Sequence, residues 1–510
     1  MLQINQLSIY RKSTGQALLR DFTFALNAGE RIAVVGEEGN GKSTLLKLLY
    51  DPSLVEPYAE WEGDIRRDGK TGYLFQELSE ADRCLTIYEY LFHAGVFDVA
   101  DAGEVAQLTA ELGLPAQLPY EGRTVETLSG GEKVKLQLLR ILAHRPDTLL
   151  LDEPTNDIDI ETLEWMERFL LSCRVPALYI SHDETLLERT ATGIIHIEQL
   201  RSKTECRYTT SRVPYRTYVD ERLRSLSHQA QMARKEKAEY DAQMDRYRQI
   251  YERVHHEQNA ISRGNPSGGR LLKKKMHAVK SMSRRFEREK QDMTQKPVTE
   301  DAILLSLPEV FLPSGKEILR FSLPELVAGG NVLARGVTLD ITGAEHIGII
   351  GRNGAGKTTL LAAIAEQLLS RADINTFYMP QDYAALLPAD MTPVEFLAPS
   401  GTKEDVTAAR TYMGSVRYTP EEMIRPVPSL SGGQKAKLCF LKMALEGYDV
   451  LILDEPTRNF SALSGPVVRD ALESFGGAII SVSHDRKYLS EVCETIYQLT
   501  PFGLIAERGI

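Results

Sequence analysis

Two stretches of the chain place glycine, lysine and a hydroxyl residue at one spacing: GEEGNGKS from Gly36 to Ser43 and GRNGAGKT from Gly351 to Thr358. Glycines so spaced leave backbone amides bare at a helix start, where they can wrap phosphate oxygens and where the helix dipole favours an anion. Lys42 and Lys357 add a positive charge for β and γ phosphates, and Ser43 and Thr358 offer a hydroxyl to Mg²⁺. Gly36, Gly39, Gly41 and Thr44 complete one candidate cradle; Gly351, Gly354, Gly356 and Thr359 complete the other. Two carboxylate pairs follow, Asp152 with Glu153 and Asp454 with Glu455, each inside the sequence LDEPT. The first acid of each pair suits Mg²⁺, and the second can face a water that attacks the γ phosphate. His182 and His484 each come 29 residues after their glutamate and can sense or polarise that phosphate. The chemistry this spells is Mg²⁺-assisted hydrolysis of ATP, twice.

The elements that must position these residues are legible from apolar runs. RIAVV and HIGII feed the glycine loops, TLLLD and VLILD end at the aspartates, and ALYISH and AIISVSH end at the histidines. Short β-branched runs ending in turn residues read as buried parallel strands with their motifs at the strand ends. The LSGG sequences at Leu128 and Leu430, the LDEPT sequences and the SHD sequences are each separated by 302 positions. One domain is therefore present twice. The expected fold is α/β: two tandem nucleotide-binding domains, 1–205 and 300–510, joined by a long α-helical hairpin linker, 206–299.

That linker has its own texture. From Tyr215 to Arg263 there is no Gly or Pro, and Val219, Leu223, Leu226, Ala230, Ala233, Lys237, Tyr240, Met244, Tyr247, Tyr251 and Val254 step by fours and threes. This is a heptad seam with a polar interruption at Lys237. Leu272, Met276, Val279, Ser283, Phe286, Lys290 and Met293 repeat the stepping more weakly, and GNPSGG separates the two arms. The net charge is −11, yet residues Arg207 to Lys296 hold 22 Lys and Arg against 11 Asp and Glu. A basic hairpin thus sits between acidic domains, and Arg263, Arg270, Lys273, Lys274, Lys275, Lys280, Arg284 and Arg285 are candidate contacts to a phosphate backbone. Five scattered cysteines with no CxxC fit a reducing, cytoplasmic setting. No run of 18 apolar residues exists to span a bilayer, so no membrane partner is expected.

Phosphate loop, LSGG, LDEPT and SHD in this order resemble the ATP-binding cassette superfamily. That resemblance implies two cassettes stacked head to tail within one chain acting as a monomer. Each ATP would lie between one phosphate loop and the other cassette's LSGG. One site would join Gly36–Ser43 with Ser431, Gly432 and Gly433; the other would join Gly351–Thr358 with Ser129, Gly130 and Gly131. Gln76 and Gln381 match the glutamine that links nucleotide and its Mg²⁺ to the helical part, beside Ser43, Asp152, Thr358 and Asp454. Tyr10 stands where an aromatic stacks on adenine, whereas VAGGNVLARG before the second loop offers no aromatic.

Fused cassettes with a basic hairpin between them resemble the ABC-F family, whose members act on ribosomes. The resemblance implies that the tip, about 261–270, enters the exit-site tRNA region and points at large-subunit RNA near the peptidyl-transferase centre. After LDEPT the first copy reads Asn156, Asp157, Ile158, Asp159 and the second Arg458, Asn459, Phe460, Ser461. This second form resembles the antibiotic-resistance, ribosomal-protection branch, and it predicts unequal hydrolysis at the two sites. The 52 positions from Gln76 to Leu128, against 49 from Gln381 to Leu430, predict no extra arm, and with 26 residues after His484 no C-terminal extension is expected. A housekeeping translation ATPase shares every motif and is separated only by drug susceptibility. A transporter ATPase would need a membrane partner, and chromosome ATPases insert their coil inside a cassette.

Overall fold

The computed structural model describes residues 2–200, 204–260, 271, 273–279, 281–282, 285–286, 294 and 307–507. In each half a six-stranded sheet carries the motifs. The first runs Thr71–Leu74, Thr148–Asp152, Ala177–Ile180, Arg31–Val35, Gly193–Leu200, Glu205–Ser211, parallel except for the last pair. The second repeats this order: Thr376–Met379, Val450–Asp454, Ala478–Val482, His346–Ile350, Thr495–Thr500, Gly503–Glu507. The strands ending at the aspartate, the histidine and the glycine loop are immediate neighbours, so residues over a hundred positions apart emerge side by side at one sheet edge. Every residue of TLLLD, VLILD, HIGII and AIISV is buried.

The helix after each loop packs its apolar face on that sheet. Leu45, Leu46, Leu48 and Leu49 of Lys42–Tyr50 join Val34, Leu150 and Leu178 in one core, and Leu360, Leu361, Ile364 and Leu368 of Lys357–Leu369 join Ile349 and Ile452 in its counterpart. Over this face the first half adds a three-stranded antiparallel sheet, Ala17–Leu26, Leu2–Arg11, Ala59–Arg67, and the second half a two-stranded one, Glu317–Ala328 with Asn331–Thr342. The first sheet runs beyond the expected boundary at 205, because the polar-alternating ECRYTTS run pairs with Gly193–Leu200 as an edge strand.

Compact packing divides the chain into residues 1–215 with 300–510, and 216–299. Within the latter, helix Tyr215–Ala260 is 46 residues long, about 70 Å at ~1.5 Å per residue. Val254 packs with Met276 and Val279, Tyr247 meets Phe286 edge-on at 5.9 Å, and the Thr294 hydroxyl donates to Glu236 at 3.0 Å. These pairs run in opposite directions along the two arms, as an antiparallel hairpin requires. Leu223, expected on the seam, is instead 59% exposed. Lys273, Lys274, Lys275 and Arg285 are exposed on the second arm. Arg263, Arg270, Lys280, Arg284 and the tip 261–270 lie outside the described residues.

Candidate nucleotide sites between the two halves

Each glycine loop is held open by its own lysine. Lys42 Nζ donates to the carbonyls of Gly36 at 2.6 Å and Glu37 at 3.0 Å; Lys357 donates to those of Gly351 at 2.8 Å and Arg352 at 3.1 Å. Gly36 is irreplaceable on two counts: its φ is +146°, and a Cβ would stand 2.2 Å from the Ile197 carbonyl oxygen. Gly41 and Gly356 cap the following helices in the left-handed region without any side-chain hydrogen bond, which leaves first-turn amides available to an anion. Thr44 and Thr359 follow in those first turns.

The carboxylate pairs occupy strand ends. Asp152 accepts from Ser43 Oγ at 2.8 Å and from Tyr73 OH at 2.7 Å. Both buried oxygens of Asp454 lack a hydrogen bond of full geometry, with the Thr358 hydroxyl beside them as a weaker electrostatic partner. A hydroxyl and a carboxylate meeting at one point, with buried oxygens left unpaired, is a donor set that fits a hard divalent cation. Glu153 and Glu455 turn through φ of +50° and +52°, a conformation that side-chain-bearing residues adopt at a cost.

The two glutamates are set differently. Glu153 accepts from Gln76 Nε2 at 2.8 Å and from Asn156 Nδ2, and faces His182 Nε2 at 3.5 Å. Burial alone would raise its pKa, but the His182 contact, Lys42 and Asn156 outweigh it and hold the group at about 2. Glu455 keeps the His484 backbone N–H at 3.2 Å and the His484 ring at 3.7 Å, and burial pushes it up to about 8. Arg458, standing where the first half has Asn156, turns away to pair with Asp157 at 2.7 Å. His182 Nδ1 donates across to the Phe460 carbonyl at 3.1 Å, while His484 Nδ1 is buried without a partner and burial lowers that ring to about 4.

The halves face each other head to tail. Gly433 N donates to Glu38 Oε2 at 2.6 Å, which brings the LSGGQ of the second half onto the first loop. Asn353 Nδ2 donates to the Asp157 carbonyl at 2.6 Å, and a Cβ on Gly130 would lie 3.7 Å from that same nitrogen, which brings LSGGE near the second loop. Ser129 and Ser431 are the N-caps of the helices Gly130–Ala143 and Gly432–Glu446. A cavity of about 540 Å³ at the second loop draws its walls from both halves, among them Lys357, Thr358, Gln381, Asp454, Glu455 and His484 from one, and Asn156 and His182 from the other. Ser129, Gly130 and Gly131 stand near this loop without lining the cavity. Ala328 and Leu333 line it where the sequence offers no aromatic, whereas Tyr10 is half-buried on the first antiparallel sheet.

The sequence model described as "ABC transporter" matches residues 19–156 and 334–458, together more than half of the chain. The chain belongs to the ABC transporter family. Its halves are ATP-binding cassette ATPase domains, and its relatives include the F branch. ABC transporter F family member 2 of Arabidopsis thaliana is 26% identical, over 98% of this chain and 77% of its own length. The ribosome protection protein VmlR of Bacillus subtilis is 28% identical, over 96% and 85%. Among solved structures, an archaeal ribosome recycling factor, crystallised with a ribosomal stalk protein, shares the tandem fold at TM-score 0.60 and 16% identity, covering 98% of this chain and 90% of that one. No helix among the described residues is long and apolar enough to cross a membrane.

Several residues at the cassette interface escaped sequence reasoning. Glu37, from the first loop, is buried and accepts from Ser461 Oγ at 2.7 Å and Ser464 Oγ at 2.5 Å, with Lys437 Nζ at 3.5 Å. Burial would raise its pKa, yet Lys437 and the two hydroxyls hold it below 4.5. The signal was present as two acids inside a loop built for phosphate. It also explains the altered segment after the second LDEPT: Ser461 offers a hydroxyl to Glu37 where the first cassette's Asp159 would offer a second anion. At the other interface Asp159 receives the backbone N–H of Asn353.

Proposed function

We propose that this protein is an ATP-hydrolysing member of the ABC-F type that acts on the ribosome, and that it displaces antibiotics bound at the peptidyl-transferase centre of the large subunit. What carries this reading is the pairing of two inter-cassette nucleotide sites with a separate basic hairpin whose second arm exposes Lys273, Lys274 and Lys275 in succession. The printed name of the 28%-identical ribosome protection protein supports it. Such a helix draws its affinity from phosphate neutralisation and is salt-sensitive. The domain division 1–205, 206–299 and 300–510, the tip at 261–270 and a cytoplasmic setting belong to the same reading.

At each site the loop amides of Gly36–Ser43 or Gly351–Thr358 wrap the phosphates, and Lys42 or Lys357 faces their outer oxygens. Ser43, Gln76 and Asp152, and Thr358, Gln381 and Asp454, would hold Mg²⁺, which supplies charge neutralisation on the triphosphate. Glu153 and Glu455 face the attacking water as general base or as its orienting group, and His182 and His484 stand beside those glutamates and meet the γ phosphate. Ser431, Gly432 and Gly433, and Ser129, Gly130 and Gly131, close on the phosphates from the opposite cassette. Because Glu153 has Gln76 and Asn156 as donors and Glu455 has neither, the two sites hydrolyse at unequal rates.

The test is sedimentation of the Glu153→Gln/Glu455→Gln double variant with ribosomes in ATP. Salt-dependent trapping on 70S-like particles is expected, and absence from them in every nucleotide state removes the proposal. Expression in susceptible cells then decides the finer part. Raised tolerance of drugs that bind the peptidyl-transferase centre supports protection, and unchanged tolerance of all of them leaves a housekeeping translation factor.

A further inference from the structure

Every ion pair described between the two cassettes has its acid on the first cassette and its cation on the second. At the nucleotide sites these are Glu37 with Lys437, Asp157 with Arg458 and Glu161 with Arg352. Behind them lies a buried cluster. Arg469 grips Glu184 through two nitrogens at 2.7 and 3.2 Å, Arg486 meets Glu167 at 2.5 Å and Asp183 at 3.1 Å, and Lys487 bridges Glu184 and Glu188. Arg469, Arg486, Glu167 and Glu184 are each less than a tenth exposed.

The spacing that separates the LDEPT and SHD motifs also relates these four positions. Displaced by 302, Glu167 falls on Arg469 and Glu184 falls on Arg486. The repeat has kept the positions and exchanged the sign of both. The same exchange occurs in the glycine loops, where Glu37 matches Arg352. Two first cassettes docked in this geometry would bury Glu167 against Glu184 twice, and two second cassettes would bury Arg469 against Arg486 twice. Arg189 would still pair with Glu167 and Glu491 with Arg469, since each lies in the same cassette. Two first cassettes would nevertheless leave Glu184 without Arg469 and Lys487, and a buried charge that loses its counter-ions opposes association more strongly than a matched pair favours it.

We infer that the exchanged pairs Glu167–Arg486 and Glu184–Arg469 are a recognition code that makes cassette pairing strictly heterotypic: the acidic face accepts only a second-type cassette, from its own chain or another copy. Helices Ile160–Ser172 and Glu184–Thr190 of the first cassette, and Gly465–Glu473 and Arg486–Val492 of the second, carry the code and keep like cassettes of neighbouring chains from pairing. This rests on the cassette interface alone and is independent of the ribosome reading.

The code is tested with two full-length variants. Arg469→Glu/Arg486→Glu places acids at all four positions, and Glu167→Arg/Glu184→Arg places arginines at all four. Each alone is expected to lose at least tenfold in ATP turnover and to remain a single chain by light scattering. Mixed in equal amounts, the first cassette of the acidic chain and the second cassette of the basic chain restore the native set. A two-chain complex is expected, with turnover at least fivefold above either variant alone. The variants are also co-expressed, so that one unable to fold alone is judged by whether its complement brings it into a soluble two-chain complex. The inference is overturned if either variant alone turns over within twofold of the native chain, or if neither mixing nor co-expression yields the complex.

Discussion

Replacing Ser461 by aspartate would give the second cassette the acid that the first carries at Asp159, and the interface shows why that change is costly. Ser461 is 2% exposed and its hydroxyl donates to Glu37 at 2.7 Å. Two carboxylates held ~3 Å apart at an effective dielectric of ~20 repel by about 5 kcal/mol. Sharing one proton relieves this, and lifting a carboxyl pKa from ~4.3 past pH 7.5 costs about 4 kcal/mol. Protonation is the cheaper route, so it sets the cost: about a thousandfold in the cassette-pairing equilibrium. The pH dependence has opposite signs in the two proteins. In the native chain Glu37 is held below 4.5, so its contribution is complete above that value and is lost only as pH falls through the depressed pKa. In Ser461→Asp the shared proton has a raised pKa, so pairing is best at low pH and weakens as pH climbs from 6 to 8.5. Steady-state ATP turnover should fall at least tenfold at pH 7.5 and recover towards pH 6. Adding Glu37→Gln should restore it, because Lys437 then faces a single carboxylate. Turnover within twofold of native at pH 7.5, or no relief from Glu37→Gln, would refute the reasoning.

Glu153→Gln and Glu455→Gln should each cost a factor in the range of ~10²–10⁴ at their own site but leave different residual turnover, and indistinguishable defects would contradict the unequal-site reading. Arg458→Asn should narrow that difference by returning to Glu455 the donor that Asn156 gives Glu153, as single-turnover rates would show. Changing Lys273, Lys274 and Lys275 together to alanine should lower the slope of log affinity for ribosomes against log salt by about 2–3, while ATP turnover without ribosomes stays unchanged. Phe286→Ala should remove about 3–5 kcal/mol from the hairpin by emptying the space beside Tyr247, seen as faster amide exchange in residues 240–257 with basal turnover intact; unaltered exchange would count against the described packing.

Much of the sheet architecture was legible because its causes are local. TLLLD, HIGII and AIISV are apolar over too short a span for helices, and each ends at candidate site residues, so strand type and motif placement followed from pattern. The hairpin seam was legible through Val254, Met276, Val279 and Phe286, all buried. Leu223 was misplaced because a heptad pattern marks an apolar stripe without showing which of its positions are covered. The edge strand Glu205–Ser211 was missed because polar alternation beside a charged linker carries little signal until its neighbour is in place.

The sequence by itself determined two copies of one nucleotide-binding unit, the residue types at each phosphate loop, and a basic helical arm between them, since each follows from short-range periodicity and composition. Only the tertiary structure decided what Glu37, Glu38, Ser461, Arg469 and Arg486 do. Their partners across the cassette interface lie between 285 and 427 positions away, and no local pattern tells a solvated surface charge from one that another domain will bury. An ion pair acquires its meaning when both of its members are taken out of water together, which is a property of the assembled interface.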